Sequence, residues 1–245
     1  MRPEPVTTVT PRPVGLPTQV QGWHQLTFLH WPVEPERVAG LLPAGTRPDT
    51  LDGITYVGLV PFLMRGVGPG PGPGLPYLGA FCETNVRLYS VDEQGRRGVV
   101  FRSLDASRLL PALTGRLGFR LPYLWSSMRL RRDGDVITYT CRRRGRAAAA
   151  SRAVVRIGPP IAEPSPLEHF LTARWGLHTA WYGHTLHQPA EHPPWPLHRA
   201  ELLDLDDGLV AAAGLPAPAG PPVSALWSPG VRVRFGRPTL LRAAR

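Results

Sequence analysis

Apolar residues in this chain recur mostly at a period of two, in short runs broken by turn residues, which predicts strands rather than helices. Gln25 to Trp31 reads as the first strand. Ile54 to Met64 is an almost unbroken apolar run, a strand buried on both faces or bent at Pro61. Cys82 to Val91 alternates cleanly. Cys82, Thr84, Val86 and Leu88 take one face, and Glu83, Asn85, Arg87 and Tyr89 take the other. Val99, Phe101, Ser103 and Asp105 share one face of the next strand, and further strands are expected near 151–158, 178–188, 197–205 and 230–235.

Turn and cap signals punctuate these runs. Asp52-Gly53 and Asp133-Gly134 are two-residue turn signals. Taking Asp133-Gly134 as the loop pairs Leu130 with Ile137, Met128 with Tyr139 and Ser126 with Cys141 on an apolar face. Arg131 with Val136 and Arg129 with Thr138 form a wetter one. Ser165-Pro166-Leu167-Glu168 is a capping box with proline at the first helical position, so a helix is expected from Pro166 to Ala173. Pro35 to Leu42 reads as a short helix with Val38, Leu41 and Leu42 on one side, stopped by Pro43. Another is expected over Ser107 to Gly118. Residues 1–21 read as a flexible leader, and Gly66 to Pro76, alternating glycine and proline, as an exposed loop at a pocket mouth. No repeat or linker divides the remainder. The expected fold is α+β and mostly β: a single domain over 22–240, with a closed or cone-like antiparallel sheet enclosing a pocket and a few short helices.

Composition narrows the chemistry. The chain is 245 residues long with a net charge of +10, and 42% of its residues are hydrophobic, enough for a sizeable core. All 28 basic side chains are arginine. Arginine stays protonated and cannot act as an imine-forming amine, so lysine Schiff-base chemistry is excluded. With no lysine, arginine fills ordinary surface positions too. Arg142-Arg143-Arg144-Gly145-Arg146 therefore reads as a solvated basic face rather than a specific nucleic-acid site. Cys82 and Cys141 are too few for a disulfide framework and read as buried thiols in a reducing, cytoplasmic setting. No run approaches the ~20 apolar residues of a membrane span.

Other motifs argue against common site types. Gly66 to Pro76 has the glycines of a phosphate loop but the wrong spacing, and its prolines remove amide donors. There is no Gly-x-Ser-x-Gly elbow. His184, His187, His192 and His198 cluster, but 184 and 187 have opposite parity on a strand, so no metal site is expected from them. No cofactor is expected.

The polar stripe remains. If the sheet closes with that face inward, Glu83, Asn85 and Arg87 sit with Ser103 and Asp105 around one cavity, and Tyr123 or Arg129 contributes. Buried carboxylates there require pairing or a ligand. At the same residues the chain resembles the YqjF-like bacterial family, a domain of unknown function related to acetoacetate decarboxylase. The motifs are His30-Trp31-Pro32, Tyr56 to Phe62 with Met64-Arg65-Gly66, Glu83 to Tyr89, Ser103 to Ala106, Leu121-Pro122-Tyr123, Leu167 to Leu171 and His192 to Leu197, in order over about residues 23–235. The resemblance implies a cone-like closed sheet around a pocket. It also implies that Glu83 lies on the strand equivalent to the decarboxylase's glutamate strand. The segment resembling its lysine segment holds Tyr123 and Leu124 instead, which agrees with the absence of lysine.

The functional expectation is an internal small-molecule pocket. As an enzyme, of lyase or isomerase type, it would act on a small oxygenated or carboxylated compound. Glu83, Arg87 and Asp105 would be catalytic, and Asn85, Ser103, Tyr123 and Arg129 substrate-binding. The alternatives are a non-catalytic small-molecule binder and, third, a basic nucleic-acid-binding module. Neither a specific nucleic acid nor a membrane is expected as partner, and homo-oligomerisation is left open.

Overall fold

A computed structural model describes residues 2–70, 72, 74, 79–108, 120–145 and 149–241. The strands are β1 (Gln19–Val33), β2 (Thr46–Pro48), β3 (Thr55–Pro69), β4 (Phe81–Asp92), β5 (Arg97–Ala106), β6 (Tyr123–Asp133), β7 (Val136–Arg143), β8 (Ala150–Pro160), β9 (Gly176–Trp181), β10 (His184–Glu191), β11 (His198–Asp207), β12 (Ser224–Phe235) and β13 (Thr239–Leu240). Three short helices are described: α1 (Pro35–Ala39), α2 (Pro166–Thr172) and α3 (Leu209–Ala212). The helix expected over Ser107 to Gly118 lies mostly outside the described residues, as do positions 71, 73, 75 and 76 of the glycine-proline loop.

The pairings close on themselves twice. The path β1-β3-β4-β5-β6-β7-β8-β11-β12 returns to β1 as a nine-strand barrel. A second path leaves β5 through β9 and β10 and rejoins at β12. The wall β12-β1-β3-β4-β5 belongs to both circuits, so its middle is covered on both faces, while the ends of β3 and β12 reach solvent at Arg65 and Arg232. This is why β4 is buried almost throughout. One side of the wall carries Phe28, Phe62, Phe81 and Tyr89, packed with Phe170 and Leu171 of α2 and Leu177 of β9. The other carries Leu29, Leu59, Val86 and Leu88, packed with Cys141, Ala153 and Leu209 and Val210 of α3. Each such large side chain contributes roughly 1.5–3 kcal/mol by leaving water. The sheet is antiparallel except where β5 runs parallel to β6 and β9.

Local signals mostly resolve as expected. The capping box forms, with Glu168 N–H donating to the Ser165 hydroxyl and Ser165 N–H to the Glu168 carboxylate. Asp52 and Gly53 both take left-handed backbone (φ 52° and 82°), as a type I′ turn demands. The β6–β7 hairpin forms, but its loop is Gly134-Asp135, so Asp133 pairs with Val136 and Leu130 with Tyr139. The left-handed Gly134 (φ 58°) takes the first loop position, the placement a type II′ turn favours. A slip of two residues keeps every side chain on its expected face.

Three expectations need correction. The 178–188 strand is a hairpin, turned at Tyr182-Gly183 with φ of 47° and 81°. The glycine-proline segment is strand as far as Pro69. The leader is tied down. Glu4 N–H donates to Gly95 O, Val14 N–H to the Glu191 carboxylate, and the Trp175 indole N–H to Thr7 O, while β1 already begins at Gln19.

Candidate functional site

Glu83 stands on the α2 side of the shared wall and lines a cavity of about 180 Å³. Gln19, Gln21 and Trp23 of β1, Val67 of β3, Tyr123 at the start of β6 and Gln188 of β10 help enclose it. The Tyr123 hydroxyl donates to Glu83 Oε2 at 3.2 Å. Oε1 has no protein partner among the described residues. Burial pushes the Glu83 carboxyl up to about 8, against the lowering effect of the Tyr123 bond, with a smaller push from the charge of Asp105. Burial and the Glu83 charge raise the Tyr123 hydroxyl well above its ordinary value. No arginine lines this cavity among the described residues; its polar groups there are three glutamines, one tyrosine, one carboxyl and the indole N–H of Trp23, which donates to Gln21.

Arg87 shares Glu83's face but serves a different cluster. Its Nε donates to Tyr89 Oη at 3.1 Å and its Nη2 to the carbonyl of Leu171 at 2.9 Å. Tyr89 Oη also donates to Leu171 O at 3.0 Å and lies 2.6 Å from His30 Nε2. The single phenolic proton goes to the carbonyl, so His30 must donate from Nε2. That leaves buried His30 Nδ1 as an acceptor without a partner. Burial, with Arg87 and Arg174 nearby, lowers the His30 pKa well below its usual value, which keeps the ring neutral. Gly58 lies between His30 and Arg87 in the ladder. A Cβ there would stand 3.1 Å from Arg87 Cγ and 3.1 Å from His30 Nε2. The missing side chain is what admits the guanidinium.

Ser103 and Asp105 are not in this cavity. β5 carries a bulge: Val86 pairs with Ser103 and Arg87 with Phe101, leaving Arg102 unpaired. One extra residue reverses the alternation. Phe101 and Leu104, three apart, both line the Glu83 cavity, while Ser103 and Asp105 turn to the opposite side of the wall. There Asp105 accepts from Arg143 Nε at 2.9 Å and Nη2 at 3.0 Å, and from the Ser126 hydroxyl at 2.7 Å. The expected Glu–Arg–Asp group is thus split three ways. Glu83 meets Tyr123, Arg87 meets Leu171, and Asp105 meets Arg143. Asn85 lies on the inner face between Glu83 and Arg87, its amide N and O buried without partners. Arg129 is exposed on the outside of β6 and belongs to no part of the site.

The arginine run is not one basic face either, because Arg143 is buried and Arg144 stacks on Trp125 with its guanidinium carbon 4.4 Å from the ring centre. Among the described residues no three metal-ligating side chains converge. His184 is exposed, and His198 Nδ1 donates to Gly158 O. The site residues missed in the sequence are Gln19, Gln21, Trp23 and Gln188. The alternation Gln19, Gln21, Trp23 was the available signal, obscured by the prolines just before it.

No helix among the described residues is long and apolar enough to cross a membrane. The fold resembles acetoacetate decarboxylase from Legionella pneumophila, with a TM-score of 0.66 at 13% identity over 95% of this chain and 92% of that one. It also resembles the enduracididine biosynthesis enzyme MppR complexed with pyruvate (TM-score 0.65, 16% identity, 92% and 91% covered). An acetoacetate decarboxylase-like enzyme from Sphingomonas wittichii RW1 matches at TM-score 0.62 and 15% identity over 92% and 93%. In sequence the chain is 32% identical over 213 residues to the uncharacterized protein YqjF of Bacillus subtilis (strain 168), covering 86% of this chain and 88% of that protein. The DUF2071 family model, described as an uncharacterized conserved protein, matches residues 20–232, so the chain belongs to that YqjF-containing family and carries it on an acetoacetate decarboxylase-like fold.

Proposed function

We propose that the chain binds a small, neutral, oxygenated compound in the Glu83 cavity and transfers a proton to or from it. The observation that carries this reading is a buried carboxyl in a cavity wall, with one hydroxyl for a partner and no cation against its charge among the described residues. A group titrating near 8 is mostly protonated at neutral pH. It can donate from Oε1 to a carbonyl or hydroxyl oxygen, and its ionised fraction can accept a proton from carbon or oxygen. Tyr123 holds Oε2 and so aims Oε1. The glutamines supply neutral donors and acceptors that orient a ligand without demanding charge. The absence of arginine from the described lining favours a neutral ligand over the carboxylate that Arg87 was expected to hold. The volume, room for about six waters at ~30 Å³ each, sets the size. The absence of lysine removes the imine route, so the chemistry is proton transfer on the intact ligand.

Small ketones, amides and alcohols would be screened by thermal shift against the corresponding carboxylates. Hits would then be followed in deuterated water by proton NMR. The expected result is stabilisation by neutral compounds. Deuterium should also appear next to the carbonyl of a bound ketone, with the wild type but not with Glu83→Gln. Binding without exchange would make the chain a small-molecule binder, and no binding by any class would remove the reading.

A further inference from the structure

We propose a second site, for a small oxyanion, on the face of β10 opposite the Glu83 cavity. Alternate residues of this strand serve the two: Gln188 lines the Glu83 cavity, while His187 and Pro189 line a separate one of about 300 Å³. The anchored leader closes its outer side with residues Arg12 to Leu16. Arg96 lines it from the β4–β5 turn, and Arg237 and Thr239 from the end of the chain. No acidic residue lines it among the described residues.

Three of its lining residues carry buried nitrogens with no hydrogen-bond partner: Arg12 Nε, Arg96 Nη2 and His187 Nε2. Arg12 and Arg96 each bind a carboxylate, Glu4 and Asp92, through another part of the guanidinium. Those ion pairs fix the two planes and leave one donor of each unused. Arg237 is exposed and makes no ion pair among the described residues. The side chain of His187 is 2% exposed. Buried donors without partners are rare in folded chains, because each loses its water without replacement. The two unpartnered guanidinium nitrogens of Arg12 and Arg96, on residues lining one cationic cavity with Arg237 and the His187 ring, match the acceptor oxygens of a phosphate or carboxylate group.

Burial lowers the His187 pKa to about 3, and the charges of Arg96 and Arg12 add to that lowering. The other groups facing this ring are His178, which also lowers it, and Asp92, which raises it. A bound anion would reverse the arginine contribution, so binding and protonation of His187 should be linked.

The test uses the full chain with inorganic phosphate in one arm and acetate in the other, followed by calorimetry and by the His187 ring signals in NMR. Saturable binding at millimolar or lower concentration is expected, weakened roughly tenfold or more in Arg237→Glu. Arg237 is exposed and makes no ion pair among the described residues, so that variant should fold normally. The His187 titration should move upward when the site fills. Preference for phosphate would assign phosphorylated compounds, and preference for acetate would assign carboxylates. Failure of both anions to bind, or equal affinity in Arg237→Glu, would overturn the proposal. Neither outcome depends on the Glu83 cavity, which Arg237 does not line.

Discussion

The guanidinium of Arg87 donates to the main-chain carbonyl of Leu171 at 2.9 Å, joining the shared wall to the last turn of α2. This fixes Arg87 as a tie between elements rather than a ligand for the Glu83 cavity. Arg87→Ala removes two charged hydrogen bonds and leaves a void under Phe28 and Tyr89, and should cost about 2–4 kcal/mol. Because Glu83 is not its partner, the loss should be the same in a Glu83→Gln background. Denaturant midpoints of the two singles and the double measure this, and a coupling energy well above about 0.5 kcal/mol would contradict it.

Glu83 should make the protein less stable as pH rises. Its folded value of about 8 lies above the ordinary 4.5, so between those two pH values the unfolded chain has lost a proton that the native state keeps. The stabilising contribution is complete below pH 4.5 and is lost progressively up to about 8, with a slope of up to about 1.4 kcal/mol per pH unit. Glu83→Gln should abolish that slope. The difference between the two unfolding curves isolates it from the histidines.

If proton transfer at Glu83 limits the proposed reaction, its rate in the wild type should turn near pH 8. It should rise through that value if the carboxylate is the base and fall through it if the acid donates. Tyr123→Phe removes the one hydrogen bond that lowers the carboxyl, so the turning point should move upward. A pH–rate profile of each protein decides the sign.

Gly58→Ala should cost about 1–3 kcal/mol although alanine suits a strand better. The new methyl would crowd Arg87 Cγ and the His30 ring, both packed in the core. Chemical denaturation measures the loss. A neutral outcome would mean the row His30, Gly58, Arg87 has slack.

What the sequence made legible follows from local rules. The period of two placed Glu83, Asn85, Arg87 and Tyr89 on one face because β4 contains no irregularity. The capping box and the Asp52-Gly53 turn each depend on residues within four positions. The hairpin register slipped by two, and the faces survived because two is the period of a strand. The bulge at Arg102 was not legible, because no glycine or proline marks it. Arg102 donates to the carbonyls of Leu41 and, more weakly, Ala213, partners fixed only in the folded chain. Closure of two circuits on one wall was equally hidden, since it depends on the single β5–β9 pairing of Val99 with Leu177.

The bulge gives the sharpest test, because it decides which chemistry Asp105 belongs to. Without the bulge, Asp105 would stand beside Glu83 in the cavity. Its removal would then relieve a strong like-charge repulsion and bring the Glu83 carboxyl down by more than a unit. With it, Asp105 faces Arg143 and Ser126 across the wall and adds only the last and smallest of the effects on Glu83. Asp105→Asn should therefore leave the Glu83 titration near 8, as followed by carboxyl NMR. Stability behaves differently. Asp105→Ala strands the buried guanidinium of Arg143 and should cost roughly 3–5 kcal/mol, whereas replacing both partners by apolar residues, as in Asp105→Leu/Arg143→Met, should recover much of that loss. A protein that loses the Glu83 shift but little stability in Asp105→Ala would place Asp105 back in the cavity, and the β5 register described above would be wrong.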